Sequence, residues 1–289
     1  MLRSLRLAFL AAAFLAIDSA ASSAEPRAPR VCSGSTDDSS RQVVLEALRA
    51  WPEESLAPRL VETAGSMESL ARLAAGECDA ALAQGDALFM KRMKAGPERL
   101  MIAKPVHLYD RLLHLICRRD TGVGDLMDLL RAPAAKRIFV GAPGSASRIT
   151  WETLETLDER IAAVPSEALG DERSLRALLT GNDKNCLLRV AAPGRADLPR
   201  LDGLGGAFRL VPLDLWYLNA AEDMAAMVYK PARIPAGSYP NLQKGLRERT
   251  VETFAVGVYL IARQDWAEAE HAAFGALRQA IEAAATSAP

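Results

Sequence analysis

Residues 65–86 decide the fold, and they read GSMESLARLAAGECDAALAQGD. Apolar residues in the first half recur at helical spacing and form one stripe: Met67, Leu70, Leu73 and Ala74. The Ser66 hydroxyl can cap the free N–H groups of a helix that begins here. Gly76 allows the turn that ends such a helix. The pattern therefore predicts an amphipathic helix between these two residues.

A short buried strand is expected directly after this helix. Residues 79–83 are mostly apolar and too few for a helix, and a polar cluster, Gln84-Gly85-Asp86, follows them. In an open parallel sheet this position is the carboxyl edge, where α/β proteins bind small molecules. The segment thus predicts a turn that presents a ligand.

The rest of the chain repeats the alternation of short apolar strands and amphipathic helices. Further strands are predicted near residues 31–32, 59–63, 137–140, 161–164, 187–191 and 208–211, and further helices near 39–51, 87–94, 146–157, 171–179 and 267–284. This order favours an α/β architecture with mainly parallel sheets flanked by helices.

Two long apolar segments resemble each other. They are Arg111–Arg118, RLLHLICR, and Thr253–Ala262, TFAVGVYLIA, and each is followed by basic and then acidic residues. We interpret them as paired crossovers that join two lobes. The expected boundaries are residues 25–112 with 257–289 for the first lobe, 120–252 for the second, and 113–119 and 253–256 for the hinge crossovers.

The N-terminus has the pattern of a secretory signal peptide spanning residues 1–24. Arg3 and Arg6 precede an apolar run from Leu7 to Ile17, and small residues follow up to Ala24. The alternative is an uncleaved anchor, but this run is short against the ~20 apolar residues that a membrane span needs. We therefore expect the mature chain in an oxidising, exported space such as a bacterial periplasm.

Composition and motifs exclude several classes of function. The 289 residues carry 35 basic and 36 acidic side chains, so no net field attracts nucleic acid. The histidines, His107, His114 and His271, form no zinc pattern, and no phosphate loop or nucleophile elbow occurs. We expect no enzyme activity, no cofactor and no metal.

The cysteines leave their pairing open. Cys32, Cys78, Cys117 and Cys186 allow three full pairings, and the spacing cannot choose among them. Buried free thiols and one disulfide are the two states that we weigh.

Five motifs in the expected order resemble one known family, the TAXI-type periplasmic solute-binding proteins that serve TRAP transporters. The motifs are Ser33-Gly34-Ser35-Thr36, Gly65-Ser66, Gln84-Gly85-Asp86, Val140–Ser145 with Arg148, and Ile234–Tyr239. The resemblance implies a bilobal type II periplasmic-binding-protein fold. With the loop chemistry, it implies these ligand-binding residues: Ser33, Gly34, Ser35, Thr36, Ser66, Gln84, Asp86, Gly144, Ser145, Ser147, Arg148 and Tyr239.

The resemblance further implies a monomeric receptor that captures a small solute by lobe closure and delivers it to a membrane TRAP permease. Helix N-termini in the loops favour an anion, so a carboxylate or amino acid is the first expectation. Asp37 and Asp38 depart from the family pattern, and they either recognise an amine or face solvent. A periplasmic sensor that uses the same cleft is the alternative function, and an enzyme on this scaffold is a more distant one.

Overall fold

The computed structural model describes residues 27–34, 39–52, 57–94, 101–180, 185–192, 198–214, 228–246 and 250–287. The predicted signal peptide and the segment 35–38, which holds Ser35, Thr36, Asp37 and Asp38, lie outside these residues.

Ten strands and ten α-helices alternate along the described residues. The strands are β1 (Arg30–Ser33), β2 (Arg59–Glu62), β3 (Ala80–Gln84), β4 (Val106–Arg118), β5 (Arg137–Val140), β6 (Ser166–Ala168), β7 (Asn185–Ala191), β8 (Phe208–Val211), β9 (Tyr229–Ile234) and β10 (Val251–Ala262). The helices are α1 (Ser39–Arg49), α2 (Ser66–Ala74), α3 (Gly85–Lys94), α4 (Leu126–Arg131), α5 (Ala146–Leu157), α6 (Glu159–Ala162), α7 (Asp171–Thr180), α8 (Leu198–Gly203), α9 (Gln264–Ala269) and α10 (His271–Ser287). The predicted α/β class is confirmed.

The strands form one mixed sheet in the order β2-β1-β3-β10-β4-β7-β5-β6, with β8 paired to β4 and β9 to β10. The two long apolar segments became β4 and β10, which pair antiparallel along the middle of the sheet. Parallel strands flank this pair on either side, β1–β3 on one and β5–β7 on the other. We call β1–β3 with α1–α3, α9 and α10 lobe I, and β5–β9 with α4–α8 lobe II.

Four apolar clusters form the core. Two of them lie in lobe I, around Val44 and around Leu70, and two in lobe II, around Trp151 and around Leu175. Ile149 of lobe II belongs to the lobe I cluster around Leu70. The apolar packing is therefore continuous between the lobes.

The structure contains two disulfides, whereas from the sequence we weighed buried free thiols against one disulfide. Cys32 of β1 joins Cys78, which precedes β3, and Cys117 of β4 joins Cys186 of β7. The second pair are direct neighbours across the antiparallel ladder. Strand pairing, which the spacing of the cysteines does not show, thus decides the connectivity.

Three elements differ from the sequence prediction. The strand expected at residues 161–164 is instead the second half of α6 and the turn after it, and β6 follows at Ser166. The Asp158 side chain caps α6 by accepting from the Arg160 N–H at 2.9 Å. Strand β9 was missed because Pro231 lies inside it, and proline is tolerated on such an edge strand. The single helix expected at the C-terminal end is two helices, α9 and α10.

No helix within the described parts of the chain is long and apolar enough to span a membrane.

Candidate functional site

The two lobes touch through their backbones at Gly65 and Gly144. A Cβ atom added to Gly65 would lie 2.0 Å from the Gly144 carbonyl oxygen, so only glycine fits there. Both residues also have a positive φ, +146° and +82°, which favours glycine. Ser66 and Ser145 follow directly, so the N-termini of α2 and α5 meet at this contact.

The turn after β1 joins the same place. The Ser33 carbonyl accepts hydrogen bonds from the Thr63 N–H at 2.9 Å and the Thr63 hydroxyl at 2.8 Å, and Thr63 lies two residues before Gly65. Ser33 and Gly34 are buried. The Ser33 hydroxyl is buried without a hydrogen-bond partner among the described residues. A buried hydroxyl without a partner costs free energy unless a ligand or water satisfies it.

Ser66 links this turn to the one after β3. The residue that caps α2 is Gly65, which has no side chain to bond with, so the predicted capping role of Ser66 is wrong. Its hydroxyl instead accepts from the Gln84 N–H at 3.1 Å. The glycine is needed at the cap position because the other lobe lies against it. The turns that the sequence singled out at Ser33, Ser66, Gln84 and Ser145 are therefore connected.

Gln84 is the centre of a buried polar network. Its side-chain NH₂ donates to Asp86 at 3.1 Å, and its carbonyl accepts from an Arg111 N–H at 2.9 Å. Arg111 also donates to the hydroxyls of Ser39 and Ser40 at the start of α1, at 2.7 and 2.9 Å. Arg111 was not predicted as a site residue. The available signal was a charged residue at the start of the apolar run 111–118.

Asp86 is fully buried, and two of its hydrogen-bond donors come from lobe II. The Thr150 hydroxyl donates to its Oδ2 at 2.6 Å and the Tyr229 hydroxyl donates at 3.4 Å, while the Ala87 N–H donates to Oδ1 at 2.8 Å. Burial raises the pKa of Asp86 above its usual value, and these neutral donors offset only part of that effect. Burial likewise raises the pKa of Tyr229 well above its usual value.

Three predicted residues at the start of α5 form hydrogen bonds within lobe II. Ser145 caps the helix by accepting from the Arg148 N–H at 3.4 Å. The buried Ser147 hydroxyl accepts from the Val190 N–H of β7 at 3.1 Å. The Arg148 side chain donates to Glu152 at 2.7 Å and to Ser166 at 3.2 Å.

Tyr239 lies in the core of lobe II. It is buried in the cluster around Leu175, its ring packs edge-on against His114, and its hydroxyl lies 3.3 Å from His114 Nε2.

The structure thus brings most of the predicted site residues that it describes to the lobe contact: Ser33, Gly34, Ser66, Gln84, Asp86, Gly144 and Ser145. Tyr239 lies apart from them, in the packing of β4 and β7. Within the described residues, no group of three or more His, Cys, Asp or Glu side chains could hold a metal ion.

Protein-family models and curated proteins gave no match to the sequence. Solved structures did. The periplasmic aliphatic sulphonate binding protein SsuA from Escherichia coli aligns with a TM-score of 0.53 at 14% identity, over 90% of this chain and 73% of that one. The chain has the periplasmic-binding-protein fold.

Two further structures share this fold. One is the ligand-binding component of an ABC-type import system from Staphylococcus aureus, crystallised with zinc bound, with a TM-score of 0.50 at 12% identity over 89% of this chain and 73% of that one. The other is a Candida albicans gene product described as having the generic periplasmic binding protein fold, with a TM-score of 0.51 at 13% identity over 89% of this chain and 70% of that one. At these identities the likeness concerns the fold alone.

Proposed function

We propose that this protein is an extracytoplasmic receptor that captures a small polar solute between its lobes and delivers it to a membrane permease. The observation that carries the proposal is the contact between Gly65 and Gly144, which brings helix N-termini from both lobes to one place. The fold supports it, because neighbours of this fold include a sulphonate-binding protein and the ligand-binding component of an importer.

The proposed solute is a small carboxylate or an amino acid. The N-termini of α2 and α5 carry partial positive charge and free N–H groups, worth ~0.3–1 kcal/mol each toward an anion where exposed. The buried Ser33 hydroxyl, which has no partner among the described residues, can donate to the same anion. The proposed contacts are Ser33, Gly34, Ser35, Thr36, Ser66, Gly144 and Ser145. The Ser66 and Ser145 hydroxyls accept hydrogen bonds within the protein and can still donate to the solute. Gln84, Asp86, Ser147, Arg148 and Tyr239 would support these contacts from the buried network, from α5 and from the core of lobe II.

The proposed permease is a TRAP-type system driven by an ion gradient. This step rests on the five motifs that resemble the TAXI-type receptors, including Gln84-Gly85-Asp86. Export through the signal peptide at residues 1–24 would place the receptor in the periplasm, and the two disulfides fit an oxidising compartment. The alternative partner is an ABC-type permease, because one structural neighbour is the ligand-binding component of an ABC-type import system.

A thermal-shift screen tests the proposed function. A solute that binds the folded form raises its melting temperature by mass action. The screen should contain dicarboxylates, amino acids, alkanesulphonates, amines and neutral sugars. We expect a carboxylate or an amino acid to give the largest shift. A shift with neutral sugars alone, or with no compound, would contradict the proposal.

Gly65→Ala tests whether lobe closure is part of binding. The added methyl group would collide with the Gly144 carbonyl oxygen, so the variant should keep its fold but lose most of the solute-dependent shift. Gly122→Ala is the matched control, because Gly122 also has a positive φ, +70°, but nothing lies within 4 Å of its added Cβ. Equal shifts in the two variants would contradict closure at this contact.

A further inference from the structure

We propose that a carboxylate of the solute binds on the α1 side of the sheet, to the Arg111 guanidinium, the Ser33 hydroxyl and the N-terminus of α1. We call these three groups the Arg111 site. The inference rests on the proposed receptor function and deepens it, because it names the charged group that selects the solute and the side of the sheet on which the solute lies.

The contact between the lobes leaves no room for a solute at its own centre. A Cβ atom on Gly65 would already lie 2.0 Å from the Gly144 carbonyl oxygen, so no solute atom fits between these two backbones. The solute must therefore lie beside the contact. The end of β1 is next to it, because the Ser33 carbonyl accepts from Thr63, two residues before Gly65.

Strand register places Ser33 and Gln84 on one face of the sheet. Val31 of β1 lies opposite Ala80 of β3 in the parallel ladder, and both belong to the buried cluster that includes α1. Side chains alternate between the two faces of a strand. Ser33, two residues after Val31, and Gln84, four residues after Ala80, therefore lie on the side of the sheet that α1 covers.

Arg111 lies on the same side. Across β10, Val258 is opposite Gln84, and Val256 is opposite Arg111. The hydrogen bond of 2.9 Å from Arg111 to the Gln84 carbonyl agrees with this placement. The guanidinium also donates to the Ser39 and Ser40 hydroxyls at 2.7 and 2.9 Å, which puts it at the first residues of α1.

The surroundings of Arg111 orient its charge. The side chain is only 4% exposed, and its Cζ lies 5.9 Å from the centre of the Tyr109 ring. The Tyr109 hydroxyl lies 3.4 Å from the Ser39 hydroxyl and 3.3 Å from the Ser40 hydroxyl. These neutral oxygens fix the guanidinium without cancelling its charge. A fixed guanidinium matches the two oxygens of a carboxylate, and the N-terminus of the eleven-residue helix α1 adds partial positive charge.

Ser33 is the independent observation that points to a ligand. Its side chain is 0% exposed, and its hydroxyl has no hydrogen-bond partner among the described residues. A buried hydroxyl in this state costs free energy that an acceptor would recover. A carboxylate oxygen is such an acceptor, and the same anion can accept from Arg111. The arrangement therefore favours a carboxylate over a neutral solute.

The first test compares an acid with its neutral amide. Calorimetry at about pH 7 with succinate and succinamide, and with L-glutamate as a second acid, measures both affinity and preference for charge. Arg111→Gln should bind succinate about tenfold to a hundredfold more weakly than the wild type and should lose the preference over succinamide. Arg111→Lys keeps the charge and should retain part of the preference. A merely structural arginine would change the melting temperature but not the preference.

Arg30→Gln is the matched control. Arg30 begins the strand that Ser33 ends, and it is held by hydrogen bonds to Asp79 rather than by groups of the Arg111 site. This variant should keep the wild-type affinity and preference. An equal loss in Arg30→Gln and Arg111→Gln would overturn the proposal.

Ser33→Ala separates binding from stability. Because the hydroxyl has no partner among the described residues, its removal should leave the melting temperature of the solute-free protein equal or higher. Succinate should nevertheless bind about threefold to tenfold more weakly. A lower melting temperature with unchanged affinity would show that the hydroxyl serves the fold and would overturn its place in the site.

A charge change before α1 gives a further check. Asp37 and Asp38 precede this helix in the sequence and lie outside the described residues. Replacing both with Asn removes two negative charges near the start of α1, so succinate affinity should stay equal or rise. A fall would contradict an anion bound at this helix end.

The remaining outcomes separate this inference from the receptor function. If the wild type prefers another acid of the thermal screen, that acid and its amide replace succinate and succinamide. If Arg111→Gln fails to fold, Arg111→Lys and Ser33→Ala carry the test, and wild-type affinity in both overturns the proposal. Binding of sugars or amines but of no carboxylate overturns the Arg111 site and leaves a receptor. If no compound binds the wild type, the receptor function itself fails.

Discussion

The two ends of β3 show how differently the molecule uses one short strand. At its amino end, Cys78 forms a disulfide with Cys32, and Asp79 pairs with Arg27 at 2.7 Å and Arg30 at 3.2 Å. All of these groups belong to lobe I or to the residues just before it. At its carboxyl end, Asp86 bonds to neutral groups of lobe II. Covalent and ionic links hold the strand within its lobe, whereas hydrogen bonds between neutral donors and one carboxyl connect it to the other lobe.

The two aspartates respond oppositely to their burial. Burial alone would raise the pKa of Asp79, but hydrogen bonds from Arg30 and Arg27 outweigh it and the pKa lies below its usual value. Without a cation in direct contact, the pKa of Asp86 lies above its usual value. The amino end should therefore stabilise the fold at neutral pH, while the carboxyl end should be more stable in acid.

Removing the Cys32–Cys78 disulfide should have the largest effect of the changes at the two ends of β3. The bridge closes a loop between residues 46 positions apart, and its loss in a Cys32→Ala/Cys78→Ala variant should cost about 4 kcal/mol of the free energy of unfolding. Urea unfolding at pH 7 measures this loss. Cys117→Ala/Cys186→Ala is the matched variant: it removes the bridge between β4 and β7, which closes a loop between residues 69 positions apart, and should lose a similar amount. Wild-type stability without the Cys32–Cys78 bridge would show that the amino end is not held as we describe.

Asp79→Asn should have the next largest effect. The variant loses charge-assisted hydrogen bonds, so its free energy of unfolding at pH 7 should fall by about 1.5–3 kcal/mol. Because the folded pKa is lowered, the contribution of Asp79 is present above the unfolded pKa and is lost as the pH falls through the folded value. Stability measured from pH 7 to about pH 3 should therefore fall less in the variant than in the wild type. Parallel curves would contradict this account.

Asp86→Asn should change the pH dependence in the opposite direction. Because the folded pKa is raised, Asp86 contributes stability below its unfolded pKa, and this is lost as the pH rises through the folded value. At pH 7 the variant no longer buries a carboxyl, but its NH₂ cannot accept the hydrogen bonds that the carboxyl accepts, so it should lose less stability than Asp79→Asn, about 1–1.5 kcal/mol. A loss as large as that of Asp79→Asn would remove the contrast between the two ends.

Ser66→Ala should have the smallest effect. It removes the acceptor of the Gln84 N–H and should cost about 1 kcal/mol. Ser145→Ala is the comparable change in lobe II, where the loss of a helix cap also costs about 1 kcal/mol. Urea unfolding of both variants measures these losses in the free energy of unfolding. Wild-type stability in Ser66→Ala would show that the hydrogen bond from the Gln84 N–H does not stabilise the carboxyl end of β3.

Local pattern predicted much of the fold. The bounds of β5 and β8 agree with the sequence prediction, because turn residues flank short apolar runs there. The helix α2 and the Gly76 turn were predicted for the same reason. The apolar run Ile161–Val164 misled the prediction because helix and strand cannot be distinguished by periodicity over so few residues.

The candidate site was predicted at the level of its turns but not of its side chains. The loops at Ser33, Ser66, Gln84 and Ser145 do meet. Their bonding depends on partners that are distant in sequence: Thr150 lies 64 positions from Asp86, and Tyr229 lies 143 positions from it. Such contacts follow from the order of strands in the sheet, which no local pattern contains.

The most direct test of the central claim, that the lobes close on a small solute, is native mass spectrometry of the protein purified gently from an exported compartment. We predict one small carboxylate or amino acid bound per wild-type chain, absent or much reduced in Gly65→Ala and retained in Gly122→Ala. A wild-type chain that carries no small molecule, even after incubation with the solutes of the thermal screen, would contradict it.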